Sequence, residues 1–192
     1  ITFVVGAQHK ATFTYLGLVV TLYPSICEFS LSMNRYILDD LDGIPLAEKR
    51  REQKNHSANV HEHRSYKSRI GKLLWLSLQT RPDIAFEVCM LSNQLSDTKV
   101  KDITDLNKLV RKIKSEPEIC LTFKALDLCS LKLHVYSDAS YGNLPNNGSQ
   151  CGYIIFLTDE HDNVFNPLIW KSVKLDRICL LYTSDAADDC RC

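Results

Sequence analysis

Tyr136-Ser137-Asp138-Ala139 closes the apolar run Leu131-Lys132-Leu133-His134-Val135, and a second run, Cys151-Gly152-Tyr153-Ile154-Ile155-Phe156-Leu157, follows after a Gly/Asn/Pro loop. The pattern predicts two antiparallel strands with Asp138 at the mouth of the first. A carboxylate so placed suits a hard divalent cation, and the chemistry it could serve is metal-assisted phosphodiester hydrolysis. That reaction needs several carboxylates to hold two Mg²⁺ ions roughly 3.5–4 Å apart. Asp138 is therefore the catalytic and metal-ligating candidate of an incomplete set. The competing reading is a strand-end aspartate that caps the next loop.

Other groups are weaker candidates. His61-Glu62-His63 with His56 raises a zinc alternative, but an i,i+2 pair diverges on a helix and no fourth ligand has sensible spacing. Asp39-Asp40 lies in a helix-like context, without the strand-turn-strand that would present a metal-binding pair. Lys67, Gly71 and Trp75 recur every four residues, which on an α-helix makes a narrow stripe about 12 Å long. The lysine could meet a phosphate, the glycine admit a sugar-phosphate edge, and the indole offer a flat surface to sugars. The structural alternatives are burial of Trp75 against the next helix and close helix packing at Gly71. Arg81 is expected to cap or form a salt bridge rather than to read nucleic acid.

The elements that must position these residues follow from periodicity. Residues 1–46 read as β-rich, through Ile1–Val5, Thr12–Val20, a turn near Pro24-Ser25 and Cys27–Leu31, with a short helix from Asn34 to Leu41. The polar stretch 48–63 has no apolar period and is read as a loop or linker. From Ser65 a helix places Tyr66, Ile70, Leu73, Leu74 and Ser77 on one face. Thr80-Arg81-Pro82-Asp83 reads as a helix start with Thr80 as its cap and Ile84, Val88 and Leu91 inward. A third helix from Asp102 carries Ile103, Leu106, Leu109, Val110 and Ile113 and stops before Pro117. Beyond it, 119–123, 131–135, 151–157 and 167–173 are strand candidates, with a hairpin turn at Glu160-His161-Asp162-Asn163.

The 192 residues, 45% hydrophobic and 24% charged, fit one large or two small domains and exclude global disorder. The zero net charge hides a basic segment. Between Glu48 and Arg81, nine Lys/Arg (49, 50, 51, 54, 64, 67, 69, 72 and 81) face three glutamates, which points to a polyanionic partner or else to a solvated helix face. Eight cysteines include no CxxC pair, so a reducing compartment is expected, with Cys27, Cys89, Cys120 and Cys151 as apolar fillers. No secretory signal opens the sequence and no apolar run reaches the roughly 18 residues of a membrane span. The absence of an initiator Met points to an internal piece of a longer chain. The last stretch, 179–192, is similar to a translated adaptor, and its Asp185, Asp188 and Asp189 are set aside as ligands.

Together these residues resemble the carboxy-terminal part of a copia-type retrotransposon polyprotein over about 12–178. The string Tyr66-Lys67-Ser68-Arg69-Ile70-Gly71-Lys72-Leu73-Leu74-Trp75-Leu76-Ser77, with Thr80-Arg81-Pro82-Asp83-Ile84-Ala85-Phe86, is similar to the thumb of its reverse transcriptase. Phe13-Thr14-Tyr15-Leu16-Gly17 looks like the hairpin that grips the primer, which makes Tyr15, Leu16 and Gly17 nucleic-acid-binding candidates beside Lys67, Gly71 and Trp75. Tyr136-Ser137-Asp138-Ala139-Ser140-Tyr141-Gly142 with Ile169-Trp170-Lys171-Ser172 looks like the first strands of its ribonuclease H domain.

The resemblance implies an α+β fold: a β-hairpin region and a small helical thumb bundle, then a truncated ribonuclease H-like antiparallel sheet. Its boundaries are 1–46 for the end of the palm, 47–117 for linker and thumb, 118–178 for the partial nuclease, and 179–192 for the adaptor-like tail. The parent would copy RNA into DNA and cleave RNA in RNA–DNA hybrids with Mg²⁺. Its paired polymerase aspartates belong upstream of residue 1 and its further nuclease acids beyond Arg177, so this piece is expected to be inactive and to keep residual template–primer binding. The implied partners are an RNA–DNA hybrid or template–primer duplex and the rest of the polyprotein, not a membrane. The implied location is cytoplasmic, in a virus-like particle, or nuclear. The alternative is a non-enzymatic nucleic-acid-binding or scaffold protein derived from such an element.

Overall fold

The computed structural model describes residues 10–144, 148–160 and 164–175. Alternating apolar residues build the first hairpin, β1 (Ala11–Tyr15) and β2 (Leu18–Tyr23), in antiparallel register with Tyr15 opposite Leu18. Only Leu16 and Gly17 remain for the turn, with φ of 50° and 83°. Two consecutive positive φ values match the type I′ turn whose twist suits a hairpin; glycine adopts it freely and Leu16 does so at a cost. A 3₁₀ turn at Pro24–Ile26 leads through Cys27, also at positive φ, into β3 (Glu28–Ser32). The fourth strand of this sheet, β4 (Leu121–Phe123), arrives from far along the chain and pairs with β3, where Phe29 and Phe123 stack at 4.6 Å. The N-terminal sheet is thus completed by a strand from beyond residue 117.

Five helices lie between β3 and β4: α1 (Asn34–Asp39), α2 (Glu48–Glu52), α3 (Val60–Gln79), α4 (Ala85–Ser92) and α5 (Val100–Ser115). Their apolar stripes enclose one core of Met33, Ile37, Leu41, Tyr66, Ile70, Leu73, Leu76, Ile84, Val88, Ile103, Leu106, Val110 and Ile113. The α5 stripe is as the periodicity predicts. On α3 the inward residue is Leu76, and Leu74 is exposed.

The stretch read as linker is structured. Asn59 accepts a hydrogen bond from the Glu62 amide at 2.9 Å, and the Glu62 carboxylate accepts one from the Asn59 amide at 2.8 Å. This capping box starts α3 at Val60, five residues earlier than the apolar period shows. Arg50 of α2 donates to both Glu62 oxygens, at 3.0 and 2.8 Å, and so ties the two helices together. A short helix held by a long-range ion pair has no hydrophobic period to reveal it.

Thr80 closes α3 instead of opening α4, its amide bonded to the Leu76 carbonyl, and its buried hydroxyl has no partner. Arg81 is fully buried. It donates to both Asp83 oxygens at 2.8 Å and to the Glu116 carbonyl at 3.1 Å, joining the end of α3, the 3₁₀ turn Pro82–Ile84 and the end of α5.

The second sheet is a meander, β5 (Lys132–Leu144), β6 (Gly148–Thr158) and β7 (Asn166–Leu175), in the order β5-β6-β7 with all neighbours antiparallel. The fold is therefore mixed α/β with antiparallel sheets. Trp170 Nε1 donates to the Ser77 carbonyl at 2.7 Å, and Gln150 Nε2 to Cys89 Sγ at 3.3 Å, which docks one sheet face on α3 and α4. The Asn166 side chain accepts from the Lys124 amide and donates to the Lys124 carbonyl, at 2.9 and 2.8 Å, beside β4. Ile1–Val5, the turn residues His161–Asn163 and the tail 179–192 lie outside the described residues.

Two outcomes follow for stability. Asp83→Ala leaves the buried Arg81 guanidinium without its counter-charge and is expected to cost on the order of 3 kcal/mol, read as a lower urea midpoint at unchanged slope. The Arg50 bond holds the Glu62 carboxyl below the ordinary glutamate value of 4.5. Because the folded pKa is depressed, that stabilisation is present above 4.5 and is lost as pH falls through the lowered value. Glu62→Gln should flatten the loss of stability in that acid range, measured by urea denaturation across pH.

Candidate nucleic-acid interface

On α3, the residues that do not face the core make a continuous outward stripe: Arg64, Lys67, Ser68, Gly71, Leu74, Trp75 and Leu78 are all exposed. Its first half is cationic and its second half apolar and aromatic. Lys67, Gly71 and Trp75 are thus brought to one surface. Trp75 is 42% exposed and is not buried against the next helix. A Cβ built on Gly71 would meet nothing within 4 Å, so close packing inside the chain does not account for the glycine. A mid-helix glycine costs about 1 kcal/mol relative to alanine, and nothing among the described residues requires it.

The basic segment divides into two groups. Arg50 binds Glu62, Arg51 the Leu46 carbonyl, Arg69 the Asp42 carbonyl, Lys72 the Asp40 carbonyl, and Arg81 Asp83. Among the described residues, the side chains of Lys49, Lys54, Arg64 and Lys67 make no hydrogen bond or ion pair. Two of these four lie on the α3 stripe. Charge counting alone missed this division, because three of the five partners are backbone carbonyls, which carry no formal charge to count.

Tyr15, Leu16 and Gly17 form the tip of the β1–β2 hairpin, where Leu16 is 69% exposed. The hairpin is carried by the first sheet, and Leu18, directly after the tip, packs on the helical core. No hydrogen bond or ion pair joins the tip to the α3 stripe among the described residues.

Asp138 is not at a strand mouth. β5 continues through it to Leu144, and Asp138 sits opposite Gly152 of β6, which in turn sits opposite Ser172 of β7. Backbone pairing with β6 past position 138 extends the strand where apolar alternation had already stopped. Asp138 is exposed on a cleft of about 750 Å³ between the sheet and the segment Pro82–Phe86. Among the described residues no three His, Cys, Asp or Glu side chains come together as a metal site. Asp39 and Asp40 end α1, and His63 Nδ1 lies 3.1 Å from Thr98 Oγ1. Asp185, Asp188 and Asp189 lie outside the described residues. Of the cysteines read as fillers, Cys89 is buried and Cys151 half-buried, whereas Cys27 and Cys120 are exposed. No described helix is long and apolar enough to cross a membrane.

The sequence is 29% identical to a Ty5-1 transposon protein of Saccharomyces cerevisiae over 124 residues, 63% of this chain and 37% of that protein. It is 30% identical to the secreted RxLR effector protein 161 of Plasmopara viticola over 121 residues, 62% of this chain and 80% of that protein. The chain therefore spans little more than a third of the first relative and most of the second. No family model and no solved structure matches.

The open surroundings of Gly71 set an expected outcome. Gly71→Ala should raise stability by about 1 kcal/mol, read as a higher urea midpoint, since the added methyl group has no neighbour to displace.

Proposed function

The chain belongs to the family of the Plasmopara viticola protein and shares retrotransposon ancestry with the Ty5-1 protein, and on that premise we propose that it is a segment of a copia-type polyprotein whose α3 face holds a template–primer duplex. In this reading the segment runs from the end of a reverse transcriptase, through its thumb, into a ribonuclease H region. The observation that carries it is the exposed stripe of Lys67, Gly71 and Trp75, in which, among the described residues, the lysine side chain has no partner and the glycine has no packing neighbour.

The wide, shallow minor groove of an RNA–DNA hybrid suits contact by shape. Lys67 and Arg64 meet phosphates, Gly71 lets a sugar edge approach the helix, and Trp75 lies flat against the next sugar. Such contacts position a duplex without reading its sequence. The hairpin tip Tyr15-Leu16-Gly17 would lie against the primer strand.

Mg²⁺ is the metal this reading implies for the parent, with Asp138 as one ligand. The described residues do not supply the rest of such a site, because no group of three acids or imidazoles surrounds it. Their proposed contribution is binding.

Lys67→Ala combined with Trp75→Ala should weaken binding to an RNA–DNA hybrid, measured by fluorescence anisotropy over a salt series. The slope of log K against log salt should become shallower by about 0.9 for the one phosphate contact removed. A folded double variant with unchanged affinity and slope would exclude the α3 face.

A further inference from the structure

We propose that the cleft beside Asp138 is a binding site for a planar guanidinium or amidinium cation. The inference is independent of the α3 surface. Four features of the cleft carry it.

The hollow itself comes from one residue. On the helix-facing side of the second sheet, the register lines up Tyr136, Ile154 and Trp170 in one row and Asp138, Gly152 and Ser172 in the next. Gly152 is the centre of its row and bears no side chain, so the floor is open between Asp138 and Ser172. A Cβ there would lie 3.8 Å from the Lys171 carbonyl, an ordinary contact. The fold would accept a side chain, and the glycine serves the space above it.

The second feature is an unpartnered acceptor. Gln150, 6% exposed, lines the cleft, and its Nε2 donates to Ser172 Oγ at 2.7 Å and to Cys89 Sγ at 3.3 Å. In this orientation Oε1 is buried without a hydrogen bond among the described residues. Leaving such an atom unpaired costs about 1–3 kcal/mol, which a ligand N–H would recover. The third feature is charge. Asp138 is diagonal to Gln150 on the same face, roughly 7–8 Å away, and its exposed carboxylate makes no ion pair among the described residues. Lys171 also borders the cleft, but its register opposite Tyr153 puts its side chain on the other face of the sheet.

The fourth feature is aromatic. Tyr136, Phe86 and Trp170 line the space, and the Trp170 indole is held by its bond to the Ser77 carbonyl. A carboxylate and a carbonyl oxygen are both acceptors, so the ligand must be rich in donors. Negative charge and aromatic faces together favour a flat, delocalised cation over a phosphate-bearing one. Guanidinium and amidinium groups meet these demands. The source is either a small molecule or the arginine side chain of a peptide.

The test is a titration of the whole chain followed by backbone amide NMR shifts, with benzamidine, its neutral isostere benzamide, N-acetyl-arginine amide and N-acetyl-lysine amide as probes. Benzamidine should bind saturably with a Kd on the order of 1 mM, moving the amides of Gln150, Gly152 and Phe86. Benzamide should bind at least about tenfold more weakly. Asp138→Asn and Gly152→Ala should each lower benzamidine affinity by about tenfold while shifts outside the cleft stay in place. Saturation by the arginine amide but not the lysine amide would identify an arginine side chain as the source; saturation by benzamidine alone would identify a small molecule. Equal binding of benzamide and benzamidine, or benzamidine affinity untouched by both substitutions, would overturn the proposal.

Discussion

A positive charge with no access to solvent sets the geometry of this molecule. Arg81 sits at the junction of α3, α4 and α5, clamped by both oxygens of Asp83 and by the Glu116 carbonyl. Burying a guanidinium is costly unless every donor finds an acceptor in good geometry. Arg81 follows α3 and its acceptors come from the 3₁₀ turn before α4 and from the end of α5, so the three helices are held in fixed relation. The clamp lies one turn beyond Ser77, whose carbonyl anchors Trp170, and directly before Ala85 and Phe86, which wall the cleft. Both the docking of the second sheet and the shape of the space beside Asp138 thus depend on where this buried charge places the start of α4. Its unpartnered neighbour Thr80 shows the cost, since packing around the clamp leaves no acceptor for that hydroxyl.

The same logic sorts the surface charges. The last turn of α1 and the loop after it present carbonyls and Asp42, and Lys72 and Arg69 from α3 and Lys114 from α5 converge on them. Cations at a helix C-terminus are stabilised by its carbonyl dipoles, so these side chains serve as fasteners. Lys114 holds the Asp42 carboxyl below the usual range, with Lys72 and Arg69 adding to the effect. A segment that looks uniformly basic in sequence consequently shows two populations. One stitches loops to helices, and the other, with Arg64 and Lys67, remains turned to solvent. Only the second can meet an external polyanion without dismantling the fold.

What was legible in the sequence follows the reach of each interaction. The α5 stripe from Ile103 to Ile113 was visible because its period is local and its burial complete. The three strands of the second sheet were visible from their local apolar runs alone, although most of their described residues are half-buried or exposed. The start of α3 was not, because Asn59 and Glu62 cap it through side chain–backbone bonds that leave no apolar period in the preceding turn. α2 depends on Arg50 finding Glu62, a partner outside its own helix; β4 was legible as the strand candidate 119–123, but its pairing with β3 some ninety residues earlier was not. Thr80 shows the opposite error. A threonine before proline satisfies the rule for a helix start, yet its amide was already committed to the end of the helix before it. Of the candidate site, the α3 stripe could be read from four-residue spacing, while the cleft could not, because Asp138, Gly152 and Ser172 become one row only through strand register.

The glycines separate what the fold needs from what it merely permits. Gly17 has a conformational reason, a φ of 83° in a two-residue turn. Gly43 has a steric one, since a Cβ would lie 2.8 Å from Asn107 Oδ1, the atom that accepts the Ile44 amide. Gly71 and Gly152 have neither: their backbones lie outside the left-handed region and an added methyl would meet nothing at one and only an ordinary contact at the other. In a helix and in a central strand, glycine lowers stability relative to alanine. Two positions that give up stability without serving turn or packing are positions where empty space itself is the product. One lies on the cationic–aromatic face of α3 and the other on the floor of the cleft beside Asp138. Among the described glycines, these two mark surfaces where an uncovered backbone lies beside the charged groups, Lys67 on α3 and Asp138 at the cleft.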